Sequence, residues 1–117
     1  MDTSLSNLMC AIDEFAAERE WDQFHTPKNL AGSILIEAGE LLEVIQWDAP
    51  SFETLRGNEQ LQARIQEELA DVLNYALRFC SLLGCSPLEI VEAKLMKNQQ
   101  KYPVEKAKGN ATKYTDF

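Results

Sequence analysis

The 117-residue chain is short of positive charge, of histidine and of glycine, and each shortage removes a class of function. Eleven Lys and Arg stand against nineteen Asp and Glu, a net charge of -8. So acidic a chain repels a nucleic-acid backbone, which argues against binding a polymer. A small phosphorylated ligand stays open, because a divalent cation can bridge carboxylates and phosphates. With one histidine, His25, the chain cannot supply the two Glu-x-x-His pairs of a di-iron bundle. Its five glycines form no phosphate-cradling loop. No apolar run approaches ~18 residues, so no membrane span is expected. The opening "MDTSLSNLMC" lacks a basic n-region, so no secretory signal is expected either. The cysteines, Cys10, Cys80 and Cys85, are odd in number and match no zinc spacing. They are expected to be reduced and packed in the core of a cytoplasmic protein.

Hydrophobic residues make up 45% and charged residues 26%, as in one globular domain spanning residues 1–117. A helical chain this small often gains core by pairing with copies of itself. The apolar spacing predicts an all-α protein of four helices and no strand. The first runs from Ser4 to Glu20, with Leu5, Leu8, Met9, Ile12 and Phe15 at helical spacing. "WDQFHTPKN" connects it to a second helix, opened by Thr26 and Pro27 and expected to reach about Trp47. "DAPS" breaks the pattern, and "SFETLRGNEQ" reads as a turn or short helix with a loop. The third helix should run from Glu59 to Leu83, ended by Gly84. Ser86 to Glu89, "SPLE", is a capping box for a fourth helix from Pro87 to about Tyr102, stopped by Pro103. The tail, about 104–117, is polar and expected to be extended or disordered unless it docks.

The informative feature is a pair of misplaced acids. On the second helix Leu30, Ile34, Leu41, Val44 and Ile45 make an apolar stripe, with Glu37 inside it and Glu40 on its edge. On the third helix Leu61, Ile65, Val72, Tyr75, Phe79 and Leu83 do the same, with Glu68 inside and Asp71 on the edge. A carboxylate on a buried face is costly unless it is paired or metal-bound. Two of them on helices that pack together repel, and either raise one another's pKa or recruit a cation. Four carboxylates without histidine favour a hard cation, Mg²⁺ or Mn²⁺. A competing reading pairs these acids with Arg64, Arg78 or Lys94 as a lock on the bundle.

Glu37-x-x-Glu40 followed by Glu68-x-x-Asp71 resembles the mark of the MazG-like all-α nucleoside triphosphate pyrophosphatases. "EFAAEREWDQFHTPKNL", "EAGELLEVIQW", "QEELADVLNYAL", "KLMKNQQKYP" and the closing "KYT" are similar to segments of the dCTP pyrophosphatase branch. The resemblance covers nearly the whole chain and departs in a short segment between the second and third helices. It implies a four-helix bundle assembling into homodimers or tetramers, and hydrolysis of a (deoxy)nucleoside triphosphate to the monophosphate and pyrophosphate. Glu37, Glu40, Glu68 and Asp71 would hold Mg²⁺, with Glu37 or Glu40 as the base.

The resemblance also assigns Lys94, Asn98 and Tyr102 to the nucleotide, and Trp21, His25 and Trp47 to the base. Independently, Lys94, Asn98 and Lys101 share one side of the fourth helix at i, i+4, i+7. Aromatic faces stack on bases, which suits Trp21 and Trp47. Tyr75, one turn after Asp71, can reach the sugar or simply pack in the core. The expected function is a Mg²⁺-dependent dNTP pyrophosphatase of nucleotide-pool house-cleaning, with dCTP-like bases preferred. The alternatives are a broad or modified-nucleotide pyrophosphatase, and a non-catalytic helical oligomerisation module.

Overall fold

The computed structural model describes Ser4–Phe117 and is built of helices, with no strand among the described residues. The chain divides into two compact units, the first ending at Gly84 and the second running Cys85–Phe117.

The first unit holds α1 (Leu5–Glu18), α2 (Pro27–Val44), a short α3 (Phe52–Arg56) and α4 (Glu59–Leu83). Each begins where a side chain takes over an orphan backbone N–H of the first turn. Ser4 accepts from Asn7, Thr26 from Asn29, Ser51 from Thr54 and Asn58 from Leu61. α4 ends at Gly84, whose φ of +83° is the left-handed cap that glycine adopts without a Cβ penalty. α2 and α4 pack along one another, and α1 and α3 each pack against α4. α4 is thus the element the other three share.

A 3₁₀ turn, Asp22–Phe24, carries the chain from α1 to α2. α2 ends at Val44, three residues short of the expected Trp47. Asp48, Ala49 and Pro50 follow Trp47, and a residue before proline is driven out of the helical region, so the chain has left the helix by then.

Among the described residues only Ala16, Leu30 and Cys80 are buried hydrophobics, and Arg78 is the buried charge. Leu35, Ile36, Leu42, Trp47 and Phe52 are each more than 60% exposed. The expectation that all three cysteines are packed away holds for Cys80 alone. Cys85 is half-buried and Cys10 is exposed, and no disulfide joins them.

The second unit holds α5 (Pro87–Lys101), α6 (Val104–Ala107) and a closing 3₁₀ turn, Tyr114–Asp116. Ser86 accepts from the Glu89 N–H, so the capping position read from "SPLE" is in place. The tail is not merely extended. Tyr102 meets Tyr114 and Phe117 edge-on at 5.8 and 5.7 Å, and the Lys101 ammonium sits 4.8 Å from the Tyr114 ring. No helix is long and apolar enough to cross a membrane among the described residues.

Candidate metal cluster and aromatic cavity

α2 and α4 bring the two out-of-place acids together. One carboxylate oxygen from each of Glu37, Glu40 and Glu68 lies within 4.8 Å of the others. Glu37 and Glu68 are half-buried, and Glu40 stands at the exposed side. The Oε2 atoms of Glu37 and Glu68 are cut off from solvent and have no hydrogen-bond partner. Neither Arg64 nor Arg78 pairs with these acids. The ion pairs of the first unit's described residues are Arg19 with Glu18, and Arg78 with Asp13 and Asp22.

The crowding shows in the acid–base balance. Glu37 is pushed from 4.5 up to about 7, first by a hydrogen bond shared with Glu40, then by burial and by the charges of Glu40, Asp71 and Glu68. Each of these causes favours the protonated form of Glu37. Glu68 is raised by burial first, then by the charge of Glu40, a hydrogen bond with it, and the charges of Asp71 and Glu67. Asp71 lies outside the group of three, yet its charge acts on both. Oxygen-only donors, two of them buried without partners, fit a hard divalent cation and fit zinc poorly.

Deprotonating Glu37 costs more in the folded protein than in the unfolded chain, which makes stability depend on pH. The stabilising share of Glu37 is present below about 4.5 and is lost as pH rises through about 7. In EDTA the melting temperature of the wild type should therefore fall across this window relative to Glu37→Gln. Parallel melting curves for the two proteins would show the cluster to be uncrowded.

Asp71 also belongs to a second feature. A cavity of about 440 Å³ opens among α1, the connector and α4, walled by Trp21, His25, Asp71, Asn74, Tyr75 and Arg78. Its aromatic wall is a chain of edge-on contacts: Phe15 to Trp21 at 5.5 Å, Trp21 to His25 at 6.3 Å, His25 to Tyr75 at 6.5 Å. Of the residues expected at the base, Trp21 and His25 line this cavity, together with Tyr75, expected at the sugar or in the core. Trp47 does not; it lies beyond the end of α2 and is 88% exposed.

Two residues of the wall, Asn74 and Arg78, are not singled out by the sequence pattern as site residues. Their only signal is spacing: they fall three and seven residues after Asp71, on its helix side. In the second unit Lys94 and Asn98 line a shallow groove with Ile90, Val91 and Leu95. Lys94 is exposed and Asn98 half-buried, while Tyr102 stands just past the end of α5, its ring held by the tail.

Fold and site together define an all-α protein in which an aspartate that lines an aromatic cavity also acts by its charge on an acidic cluster. The chain belongs to the MazG-like family, whose model matches residues 33–117. It is similar to the curated protein dCTP pyrophosphatase 1 of Rattus norvegicus, 42% identical over 107 residues, covering 89% of this chain and 62% of the relative. It is likewise similar to that of Homo sapiens, 38% identical over 105 residues with the same coverage. The chain thus spans about 62% of the length of these relatives. Among solved structures, a pyrophosphatase from Archaeoglobus fulgidus is 42% identical, with a TM-score of 0.78, covering 88% of this chain and 95% of that one.

Proposed function

We propose that the chain is a Mg²⁺-dependent nucleoside triphosphate pyrophosphatase that converts dNTPs to dNMP and pyrophosphate, with dCTP-like bases preferred. The observation that carries this is the pair of buried, partnerless oxygens on Glu37 and Glu68, beside an aromatic cavity that shares Asp71. The names of the relatives, dCTP pyrophosphatase and pyrophosphatase, support the same reading.

Glu37, Glu40, Glu68 and Asp71 would hold the ion. Bound there, Mg²⁺ supplies charge neutralisation of the triphosphate and a lowered pKa for its water. Glu37 or Glu40 takes the proton of the water that attacks the α-phosphorus. Trp21 and Tyr75 wall the base and sugar, and His25 meets the base edge. The family resemblance assigns Lys94, Asn98 and Tyr102 on and after α5 to phosphate and sugar, and Trp47 to the base. The apolar side chains exposed on the first unit, Trp47 among them, support a homo-oligomer, dimer or tetramer, of one 117-residue domain. The protein is read as cytoplasmic, acting on the nucleotide pool.

A panel of dNTPs, NTPs and modified dNTPs tests the reading. Pyrophosphate should appear from dCTP, require Mg²⁺ and be lost in Asp71→Asn. Release of orthophosphate alone, or no turnover across the panel, would overturn it. Ranking kcat/KM over the panel separates dCTP preference from a broad or modified-nucleotide range.

A further inference from the structure

Arg78 is 4% exposed, and its three kinds of nitrogen each have a different partner. Nη1 donates to Asp13 Oδ1 of α1 at 2.8 Å, and Nη2 donates to Asp22 Oδ1 of the connector. Nε donates to Nδ1 of His25 at 3.0 Å. A guanidinium has no acceptor, so Nδ1 must be the lone-pair nitrogen of that ring. A neutral imidazole with Nδ1 so occupied carries its proton on Nε2. No other described residue bonds Nε2, and the ring lines the cavity.

We infer that Arg78 is a positioning residue that locks His25 in its Nε2–H tautomer, giving the cavity a fixed hydrogen-bond donor for a planar ring with an acceptor on its edge. Cytosine, with O2 and N3, is such a ring. The identity of that ring rests on the pyrophosphatase reading; the tautomer lock does not.

The two aspartates make the lock rigid. They hold both ends of the fork, so the planar guanidinium cannot rotate Nε away from His25. Burial, then the Arg78 charge, hold His25 below its ordinary pKa against the opposing pull of Asp22, which keeps the ring neutral. Released from Arg78, a neutral His25 would sample both tautomers. In one of them Nε2 would turn a lone pair toward an acceptor edge and repel it.

His25 is the only histidine, so one imidazole pattern appears in a long-range ¹H–¹⁵N spectrum of the labelled full chain. At neutral pH the wild type should show Nδ1 as an unprotonated nitrogen and Nε2 as a protonated one. Arg78→Lys keeps a cation near Asp13 and Asp22, but its three donors share one nitrogen and cannot span partners placed around a planar guanidinium. In that variant both nitrogens should move to tautomer-averaged positions. The KM for dCTP should rise about tenfold, the worth of one hydrogen bond, with kcat within about twofold.

A protonated Nδ1 in the wild type, or an unchanged ring in Arg78→Lys, overturns the lock. A relaxed ring with an unchanged KM overturns the donor role. A locked ring in a protein that turns over no nucleotide supports the lock and overturns only the substrate. Should Arg78→Lys not fold, the wild-type spectrum alone decides the tautomer.

Discussion

Glu37→Gln is expected to lower pyrophosphate release from dCTP by ~10³-fold or more, comparable to or beyond removal of a direct transition-state donor. The same change should raise the melting temperature of the metal-free protein. Both effects come from one crowded cluster. Glu37 is crowded by Glu40, by burial and by the charges of Asp71 and Glu68, so its charged form is held at a cost. Glutamine keeps the shape and a hydrogen-bond donor while removing the charge. A residue kept at a cost to stability in the empty fold, and needed for turnover, marks a functional site. Paired measurements of kcat/KM and melting temperature decide it. A variant that loses stability together with activity would mean that Glu37 is a structural member of the α2–α4 seam.

Mg²⁺ itself should stabilise the wild type. An ion that binds the folded chain at a hundred times its Kd adds ~2.7 kcal/mol by mass action. For a chain of this size that is roughly 10 °C in melting temperature. The gain should grow as pH rises through about 7, where folded Glu37 loses its proton, because proton and cation compete for the same oxygens. Glu68→Gln should abolish most of the shift, since it removes one of the two oxygens that are buried without a partner. Thermal melts with Mg²⁺, with Ca²⁺ and with EDTA provide the comparison. An equal shift in the wild type and in Glu68→Gln would place the cation elsewhere.

The parts of the fold legible in the sequence are those determined locally. α4 spans Glu59–Leu83 as its periodicity and Gly84 predict, and α5 starts at Pro87 behind its capping serine. Caps and left-handed glycines act within one turn, so a short window of sequence contains the cause. The apolar period overstates α2. It continues through Ile45, while the backbone leaves the helix after Val44, ahead of Pro50. Extending that period puts Trp47 two helical turns beyond Glu40; in the structure there is no helix at that point to carry it. The tail's ordering is not legible either. It depends on Tyr102, Tyr114 and Phe117 meeting across a dozen residues, and such contacts leave no period.

The candidate site divides in the same way. Glu37 and Glu68 are visible because an acid inside an apolar stripe breaks a pattern. Asp71, on the stripe's edge, is expected among the ligands; it stands outside the close group and shares its charge with cluster and cavity alike. The Arg78 clasp leaves no such mark. Its partners are 53, 56 and 65 residues away, and an arginine near the end of a helix ordinarily means a solvated surface. From the sequence Arg78 is an open partner for the acid cluster, and in the structure it pairs instead with Asp13 and Asp22.

α4 carries Glu68, Asp71, Tyr75 and Arg78 in succession: a cluster acid, the shared aspartate, a cavity wall and the clasp. At 1.5 Å per residue they occupy about 15 Å of one rod. The rod therefore works as a ruler whose marks cannot be moved singly. Substitutions can retune each mark in place, but one residue inserted or deleted between Glu68 and Arg78 turns everything beyond it by ~100° and separates cluster from cavity. The connection between α2 and α4 is under no such constraint. In the history of this chain, changes of length should be concentrated there, and α4 should change by replacement alone.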